Sequence, residues 1–271
     1  MDNLSLMNKS EKEDIILSVV LPAYNCSDTL ELRLPKLISY LNNLGVKYEI
    51  VVVDDGSEDQ GKIAKVTKQL GCIYIRNSTN KGKGAAVRTG MLHARGRYRI
   101  YTDADIPFKL ITIERFLWYL DFKEFHMVIG DRTLEGSSYF DDVPKLRQIG
   151  SQFMSFIVGR FMVGGLFDTQ CGIKGYRDHV AIDLFGVSRI NRFAFDVEIL
   201  YIALKRNYDI KRLPVCLEYQ GNSSVKVIRD SLVIMRDLFL IRWYQLQKHY
   251  QPGTPIIRSI DSYQRSFYEE K

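Results

Sequence analysis

The sequence predicts an α/β fold, with a doubly wound, mostly parallel sheet and helices on both of its faces. Short β-branched runs alternate with amphipathic stretches of helical length through the first hundred residues. Such runs, bounded by turn formers, are typical of strands that are buried on both faces of a parallel sheet. The alternating order implies right-handed crossovers. With 271 residues and 46% hydrophobic content, the chain can bury one large core.

The elements follow one another in a regular order. The predicted strands are Ile15–Leu21, Tyr48–Val53, Cys72–Ile75 and Tyr98–Thr102, and the predicted helices between them are Thr29–Leu44, Gly61–Leu70 and Ala85–Ala94. Gly71 and Gly96 end the second and third helices, because glycine is the usual helix stop. After Pro107 the pattern is mixed, and Met127–Gly130 is the next predicted strand.

The chain divides into four predicted parts. Residues 1–14 form a flexible polar leader, 15–222 the α/β domain, 223–250 an amphipathic helix and 251–271 an irregular tail. The helix has an apolar face with arginines nearby, which suits the headgroup boundary of an anionic membrane. A helix packed on the core or on a second subunit has the same pattern, so both interpretations stay open.

Composition restricts the function classes. The net charge of +6 and the pI near 9.0 favour anionic partners. Nucleic acid is not expected, because the positive charge forms no stripe interleaved with stacking aromatics. The four cysteines lack any C-x-x-C pair and favour a reduced, cytosolic setting. No uncharged apolar run reaches the length of about 18 residues that a membrane-spanning helix needs, and no hydrolase motif occurs.

Polar residues follow each of the first four predicted strands. These segments are Pro22-Ala23-Tyr24-Asn25, Asp54-Asp55-Gly56-Ser57, Asn80-Lys81-Gly82-Lys83-Gly84 and Asp103-Ala104-Asp105. In doubly wound sheets, ligands bind beyond the carboxyl ends of the strands. The sequence therefore predicts a ligand site at that edge.

These loops carry residue types that suit a nucleotide and a metal. Asp103 and Asp105 can hold Mg²⁺ or Mn²⁺, which is completed by substrate phosphates and water. A lone D-x-D is more often a pair of solvated turn acids, but its place after a buried strand favours the metal. Asp54 and Asp55 can accept from a base N–H or a ribose hydroxyl, and one of them can instead cap the next helix. Lys83, beside a helix N-terminus, can meet phosphate.

Seven motifs in order carry a family resemblance: PAYN, VVVDDGS, NKGKGAAVRTG, DAD, GDR, DTQCGIKGYR and FAFDVEILYIA. Together they resemble the family-2 glycosyltransferases of GT-A fold, and in particular the members that load sugars onto polyprenyl and dolichyl phosphates. The likeness runs from about Ile15 to Trp243. DTQCGIKG with FAFDVE is more specific than DAD, which many nucleotide-sugar enzymes share. The resemblance makes 15–222 a GT-A catalytic domain.

The resemblance also implies a role for each matching residue. The residues implied in donor nucleotide binding are Pro22, Ala23, Tyr24, Asn25, Asp54, Asp55, Lys83 and Asp103. Those implied in metal binding are Asp103 and Asp105, and those in catalysis are Asp105, Asp168 and Asp196. Arg132 and Arg147 resemble the arginines that hold an acceptor phosphate. Gln170, Cys171 and Glu198 match the sugar site.

The implied reaction is an inverting transfer of a hexose from a nucleotide diphosphate sugar to a polyprenyl phosphate. UDP-glucose is the expected donor and glucose the expected sugar. The enzyme is expected to lie peripherally at the cytoplasmic face of a membrane. Whether it forms a homo-oligomer is left open. One alternative is a hydroxyl acceptor on a glycan or lipid, which needs Asp168 or Asp196 as a general base. Another is a non-catalytic module that binds nucleotide sugars.

Overall fold

The computed structural model describes residues 15–138, 162–166, 168–218 and 227–251. Its sheet has seven strands in the order β3-β2-β1-β4-β6-β5-β7. The strands are β1 Leu17–Ala23, β2 Tyr48–Asp54, β3 Ile73–Arg76, β4 Tyr98–Thr102, β5 Met127–Asp131, β6 Ile173–Arg177 and β7 Ile210–Pro214. All neighbouring pairs are parallel except those of β6, which runs antiparallel to β4 and β5. The mixed, mostly parallel sheet is confirmed.

Helices cover both faces of the sheet, as predicted. They are α1 Ser27–Asn43, α2 Lys62–Gln69, α3 Lys83–His93, α4 Ile111–Asp121, α5 Asp178–Val187, α6 Phe195–Lys205 and α7 Val227–Leu246. One hydrophobic cluster lies under α1, α2 and α4, and the other under α3, α5, α6 and α7. Strand β1 contributes Val20 to the second cluster and Val19 and Leu21 to the first, because successive side chains of a strand point to opposite faces.

Strand β6 was not predicted, because its sequence IKGYR has a lysine and a glycine at its centre. A Cβ at Gly175 would lie 3.1 Å from side-chain atoms of Phe116 and Leu120, so the glycine lets α4 pack closely on the sheet. Lys174 has no exposed surface, and its ammonium contacts Asp196 on the other face. Both residues that weaken the strand pattern therefore have a packing reason.

Helix α7, in the predicted amphipathic segment, packs on the core and also exposes apolar side chains. Leu238 and Ile241 are buried against the core. Phe239, Trp243 and Leu246 are 72%, 55% and 75% exposed, and their spacing puts them on one side of the helix. Within the described ranges, no helix combines the length and apolar character needed to cross a bilayer. Residues 1–14, 223–226 and 252–271 of the predicted leader, helix and tail lie outside the described residues.

Candidate active site

The four polar loops meet at the carboxyl edge of the sheet. The backbone N–H of Asp55, after β2, donates to the carbonyl of Ala23 at the end of β1 (2.8 Å). The carboxylate of Asp55 accepts from the N–H of Gly82 (2.7 Å) in the segment 80–84, called here the glycine-containing loop. The next residue, Lys83, places its Nζ 2.5 Å from Asp103 Oδ1, after β4. The predicted convergence of these loops is confirmed.

The carboxylate of Asp54 holds its own loop in shape. It has no exposed surface and accepts from the N–H of Ser57 (2.8 Å), the hydroxyl of Tyr74 (2.8 Å) and Nη1 of Arg76 (2.6 Å). Burial raises the pKa of Asp54, but the hydrogen bonds from Ser57 and Tyr74 and the charge of Arg76 outweigh it and leave the pKa lowered. A direct contact with the donor stays a prediction, and the structure gives this carboxylate a bracing task.

Asp55 joins the second loop to the third. One carboxylate oxygen accepts from the side-chain amide of Asn77 (2.7 Å), and the other from the N–H of Gly82. Gly56 makes this contact possible: its φ is +72°, and a Cβ there would lie 2.5 Å from the backbone carbon of Thr79. The two acids thus hold three loops at fixed positions.

The PAYN segment offers the exposed surface beside these acids. Tyr24 is 45% exposed, whereas Ala23 is buried and Pro22 is half-buried. Asn25 is exposed and has a φ of +47°, which asparagine tolerates better than most residues. Its N–H donates to Ser57 Oγ (2.9 Å). Tyr24 and Asn25 are therefore the parts of this segment that a base or ribose could reach, and their predicted role in donor binding stays a prediction.

Asp103 and Asp105 project from the turn after β4. The N–H of Asp103 donates to the carbonyl of Gly172 (3.2 Å), and a Cβ at Gly172 would overlap the Asp103 carboxylate in its present position, so the glycine leaves room for that carboxylate. Burial raises the pKa of Asp105, and the charge of Asp103 raises it further, against the opposing charges of Lys83 and Arg33. Two acids thus lie two positions apart on one turn, with Lys83 as the cation that contacts Asp103.

This pair fits a hard divalent cation. Carboxylate oxygens are the ligands that Mg²⁺ and Mn²⁺ prefer, and a cation would offset both the burial and the repulsion from Asp103 that raise the pKa of Asp105. Among the described residues, no cluster of three His, Cys, Asp or Glu side chains could enclose a metal. Mg²⁺ bound by one or two protein carboxylates usually completes its shell with substrate phosphates and water.

Arg132 and Asp168 form a bidentate ion pair. Nε and Nη2 of Arg132 lie 2.8 Å and 2.6 Å from the two carboxylate oxygens, and the Arg132 N–H donates to the same carboxylate (2.7 Å). Burial raises the pKa of Asp168, but the hydrogen bonds and charge of Arg132 outweigh it and lower the pKa. Asp168 is thus a poor general base and a good support for the guanidinium. Arg147, which was predicted to hold the acceptor phosphate together with Arg132, lies outside the described residues.

Asp196 lies in the first turn of α6 and belongs to a buried cluster. Its Oδ1 accepts from Lys174 Nζ (2.6 Å) and from the hydroxyl of Tyr101. Lys174 has no exposed surface and also donates to the carbonyl of Cys171 (2.8 Å). Burial lowers the pKa of Lys83, but the charges of Asp103 and Asp196 outweigh it and raise the pKa. The charge of Asp196 therefore acts on Lys83 in the glycine-containing loop, but Asp196 is already paired with Lys174.

The three residues predicted for the sugar site have different environments. Gln170 is exposed at the edge, as a sugar contact requires. Cys171 is fully buried, which raises the pKa of its thiol to about 12, and a Cβ at Gly130 would lie 2.8 Å from its Sγ. Glu198 has no exposed surface, and both its oxygens accept from protein groups. Sugar contacts by Cys171 and Glu198 stay predictions that this packing does not favour.

Several residues of the site were not singled out from the sequence. Lys174 and Gly172 lie within the motif DTQCGIKG, and this motif was the only signal that pointed to them. Tyr101 has the appearance of an ordinary strand residue, and Arg33 that of an exposed helical one. Their contacts join parts of the chain that are far apart in sequence, and no local pattern encodes them.

The fold is shared with solved sugar transferases. Mannosyl-3-phosphoglycerate synthase from Rubrobacter xylanophilus superimposes with a TM-score of 0.65 at 16% identity, over 91% of this chain and 78% of that protein. Glucosyl-3-phosphoglycerate synthase from Mycobacterium tuberculosis, crystallised with Mn²⁺, UDP and glucosyl-3-phosphoglycerate, gives 0.60 at 15% identity, over 83% and 79%. These likenesses show the GT-A-like fold.

Sequence relatives are more similar. Dolichyl-phosphate beta-glucosyltransferase from Dictyostelium discoideum is 33% identical, with 88% of this chain and 77% of that protein covered. The enzymes of that name from Saccharomyces cerevisiae and Homo sapiens are 31% and 32% identical, over 88% and 83% of this chain and 77% and 74% of theirs. The sequence model described as glycosyl transferase family 2 matches residues 18–185, more than half of the chain. The protein is therefore a glycosyltransferase and belongs to glycosyl transferase family 2.

Proposed function

We propose that this glycosyltransferase moves a glucosyl group from UDP-glucose to a polyprenyl phosphate, of which dolichyl phosphate is one, with inversion at the anomeric carbon. The names of the relatives that are 31–33% identical over most of the chain support the sugar and the acceptor. The structural relative crystallised with Mn²⁺ and UDP supports the nucleotide and the metal.

One observation carries the choice of acceptor: both acids predicted as general bases are paired with cations. Asp168 is clamped by Arg132, and Asp196 is paired with Lys174. A hydroxyl acceptor needs a base to remove its proton, whereas a phosphate oxygen is already anionic. The paired acids suit a reaction without a base, and the Arg132 guanidinium, one-third exposed, suits the binding of a phosphate.

The donor side rests on the two acids after β4 and on the glycine-containing loop. Asp103 and Asp105 would hold Mg²⁺ or Mn²⁺, which neutralises the diphosphate as it leaves. Lys83 adds a positive charge at the start of α3, where backbone N–H groups also favour phosphate. Asp54 and Asp55 keep the loop beneath Tyr24 in a fixed position, so that the nucleotide is oriented before the sugar is transferred.

A lipid acceptor places the enzyme at a membrane surface, and we assign it peripherally to the cytoplasmic face. The exposed side of α7, formed by Phe239, Trp243 and Leu246, has the apolar and aromatic character of a headgroup boundary, and Arg236 beside it is exposed. The four cysteines are unpaired, which suits a reducing compartment.

Transfer of labelled glucose tests this proposal. UDP-[¹⁴C]glucose, Mn²⁺ and a short polyprenyl phosphate are incubated with wild type, Asp105→Asn, and Asp209→Asn as a matched control on an exposed acid at the opposite edge of the sheet. Label is expected in the organic phase with wild type and the control, and at least about 100-fold less with Asp105→Asn.

Two outcomes would contradict the proposal. Transfer to a glycan hydroxyl but not to the phosphate would replace the acceptor class with a hydroxyl. Binding of UDP without turnover on any acceptor would point to a nucleotide-sugar binding module.

A further inference from the structure

Glu198 is a buried acid that the proposed reaction does not use. It lies in the first turn of α6 with no exposed surface. One carboxylate oxygen accepts from the backbone N–H of Arg189 (2.9 Å) and the hydroxyl of Tyr250 (2.6 Å), and the other from the N–H of Ile190 (2.9 Å). A buried carboxylate with three donors fixes the backbone that supplies them.

The backbone that Glu198 fixes is the surface on which the glycine-containing loop rests. The carbonyl of Asn191 accepts from the N–H of Ala85 (3.1 Å). A Cβ at Gly82 would lie 2.6 Å from the Asn191 carbonyl oxygen, and one at Gly84 would lie 2.8 Å from that of Ile190. Both glycines are therefore in direct backbone contact with the Glu198-bound segment.

Arg88 of α3 adds a second connection to this segment. Its Nη1 donates to the carbonyl of Ser188 (3.1 Å), and its Nη2 to the side-chain oxygen of Asn191. The first turns of α3 thus follow the position of residues 188–191. Lys83, between the two glycines, carries that position to Asp103.

Tyr250, in the turn after α7, is the third donor to Glu198. Its ring is buried, and its carbonyl accepts from Nη2 of Arg206 at the end of α6 (3.1 Å). The Tyr244 ring, in α7, lies 5.6 Å from the Arg189 guanidinium. The C-terminal segment therefore contacts Arg189 through Tyr244 and contacts Glu198 through Tyr250.

We propose that Glu198 and Tyr250 are positioning residues for the donor: they hold residues 188–191 against the glycine-containing loop and so place Lys83 for the diphosphate. Neither residue touches the substrate: Glu198 acts through the backbone of Arg189 and Ile190, and Tyr250 acts through Glu198. This inference rests on the proposed function only in naming the diphosphate as the group that Lys83 meets.

Tyr250→Phe is the sharpest test, because it removes one hydroxyl and keeps the ring. Tyr208→Phe is the matched control, since the Tyr208 hydroxyl also donates to a carboxylate, that of Asp183 (2.8 Å), and not to Glu198 or to residues 188–191. Glu198→Gln is a second test variant. Thermal unfolding establishes that each variant is folded. Hydrogen–deuterium exchange is then measured on peptides covering residues 79–91 and 111–121, and calorimetry gives the Kd of UDP with Mn²⁺.

Faster exchange is expected in residues 79–91 of Tyr250→Phe and Glu198→Gln, with α4 and the Tyr208→Phe control unchanged. The Kd of UDP and the KM of the donor should rise roughly 2- to 30-fold, while the KM of the acceptor stays the same. Unchanged exchange in the loop of both test variants would overturn the inference. Failure of wild type to bind UDP would instead overturn the proposed function, and the exchange data would still decide this inference.

Discussion

At the scale of single residues, the acids of the active-site edge are held in place by cations from other parts of the chain. Asp54 pairs with Arg76, Asp168 with Arg132, and the buried Asp196 with Lys174. A buried carboxylate without its partner would be strongly destabilising, so these pairs keep the site in shape in the absence of substrate. They also decide which acids remain available for chemistry.

The Arg132–Asp168 pair gives the first prediction. Asp168→Asn removes the charge that orients Arg132, so the KM of a polyprenyl phosphate acceptor should rise at least about tenfold while the KM of UDP-glucose changes little. Steady-state kinetics with each substrate varied in turn measures this difference. Asp121→Asn is the control, because Asp121, at the end of α4, also accepts a hydrogen bond, from the hydroxyl of Tyr98 in β4. If kcat falls instead and the pH profile loses its acidic limb, where a base takes up its proton, Asp168 is a general base after all.

The lowered pKa of Asp54 predicts how stability depends on pH. Because its pKa is lower in the folded protein than in the unfolded chain, the carboxylate stabilises the fold above the unfolded value and loses that contribution as the pH falls through the folded value. Asp54→Asn should lower the free energy of unfolding by about 1–3 kcal/mol at neutral pH. The gap to wild type should narrow below about pH 4.

Urea denaturation between about pH 3 and 7 measures that gap. A gap that stays constant over this range would mean that the charge of Asp54 contributes nothing and that only the shape of the side chain matters.

The sequence predicted the acids of this edge but not their partners. Asp103, Asp105 and Asp168 were recognisable because polar residues after a buried strand, or in a family motif, need an explanation. Arg132 and Asp168 are 36 positions apart, and Lys174 and Asp196 are 22 apart. Such contacts depend on which strands become neighbours, and the insertion of β6 between β4 and β5 has no local signal.

At the scale of elements, α3 is positioned by glycines that remove side chains from its contacts. A Cβ at Gly84 would lie 2.6 Å from the Cβ of Phe195, and one at Gly90 would overlap Val20. The helix can therefore approach both β1 and the start of α6 closely. Its boundaries were predicted within two residues, since helix spacing and the stop at Gly96 are local signals. Its close packing depends on residues that are far away in sequence, such as Val20 and Phe195, and was not predicted.

Two glycine-to-alanine changes give the prediction at this scale. Gly84→Ala should lower the free energy of unfolding by about 1–3 kcal/mol, because the new methyl group must displace Phe195 or the Ile190 carbonyl. It should also raise the KM of the donor. Gly186→Ala, in α5, has no atom within 4 Å of the new Cβ and should raise stability by about 0.5–1 kcal/mol.

Chemical denaturation of the two variants beside wild type measures both effects. If both variants change the free energy of unfolding by the same amount and in the same direction, helix propensity and not the contact of Gly84 with α6 decides the effect of alanine.

At the scale of the whole molecule, large exposed side chains lie on opposite faces of the sheet. On one face, α7 exposes Phe239 and Trp243. On the other, α4 exposes Trp118 and Phe122, whose rings stack at 5.6 Å with Lys123 above them. Because these side chains lie on opposite faces of the sheet, a flat membrane surface can contact only one of the two groups at a time. The α4 pair already has a cation over its rings, whereas Phe239 and Trp243 belong to an open apolar groove of about 410 Å³.

The last prediction separates these two faces. Phe239→Ser with Trp243→Ser should reduce binding to vesicles of phosphatidylserine and phosphatidylcholine at least about tenfold, because each large side chain contributes about 1.5–3 kcal/mol when it is fully buried. Trp118→Ser with Phe122→Ser is matched in size and similar in exposure, and it should bind like wild type. Co-sedimentation at low and high salt measures both variants. If the α4 variant loses binding and the α7 variant does not, the enzyme approaches the lipid with the opposite face, and the exposed side of α7 must then contact another part of the chain or a second protein.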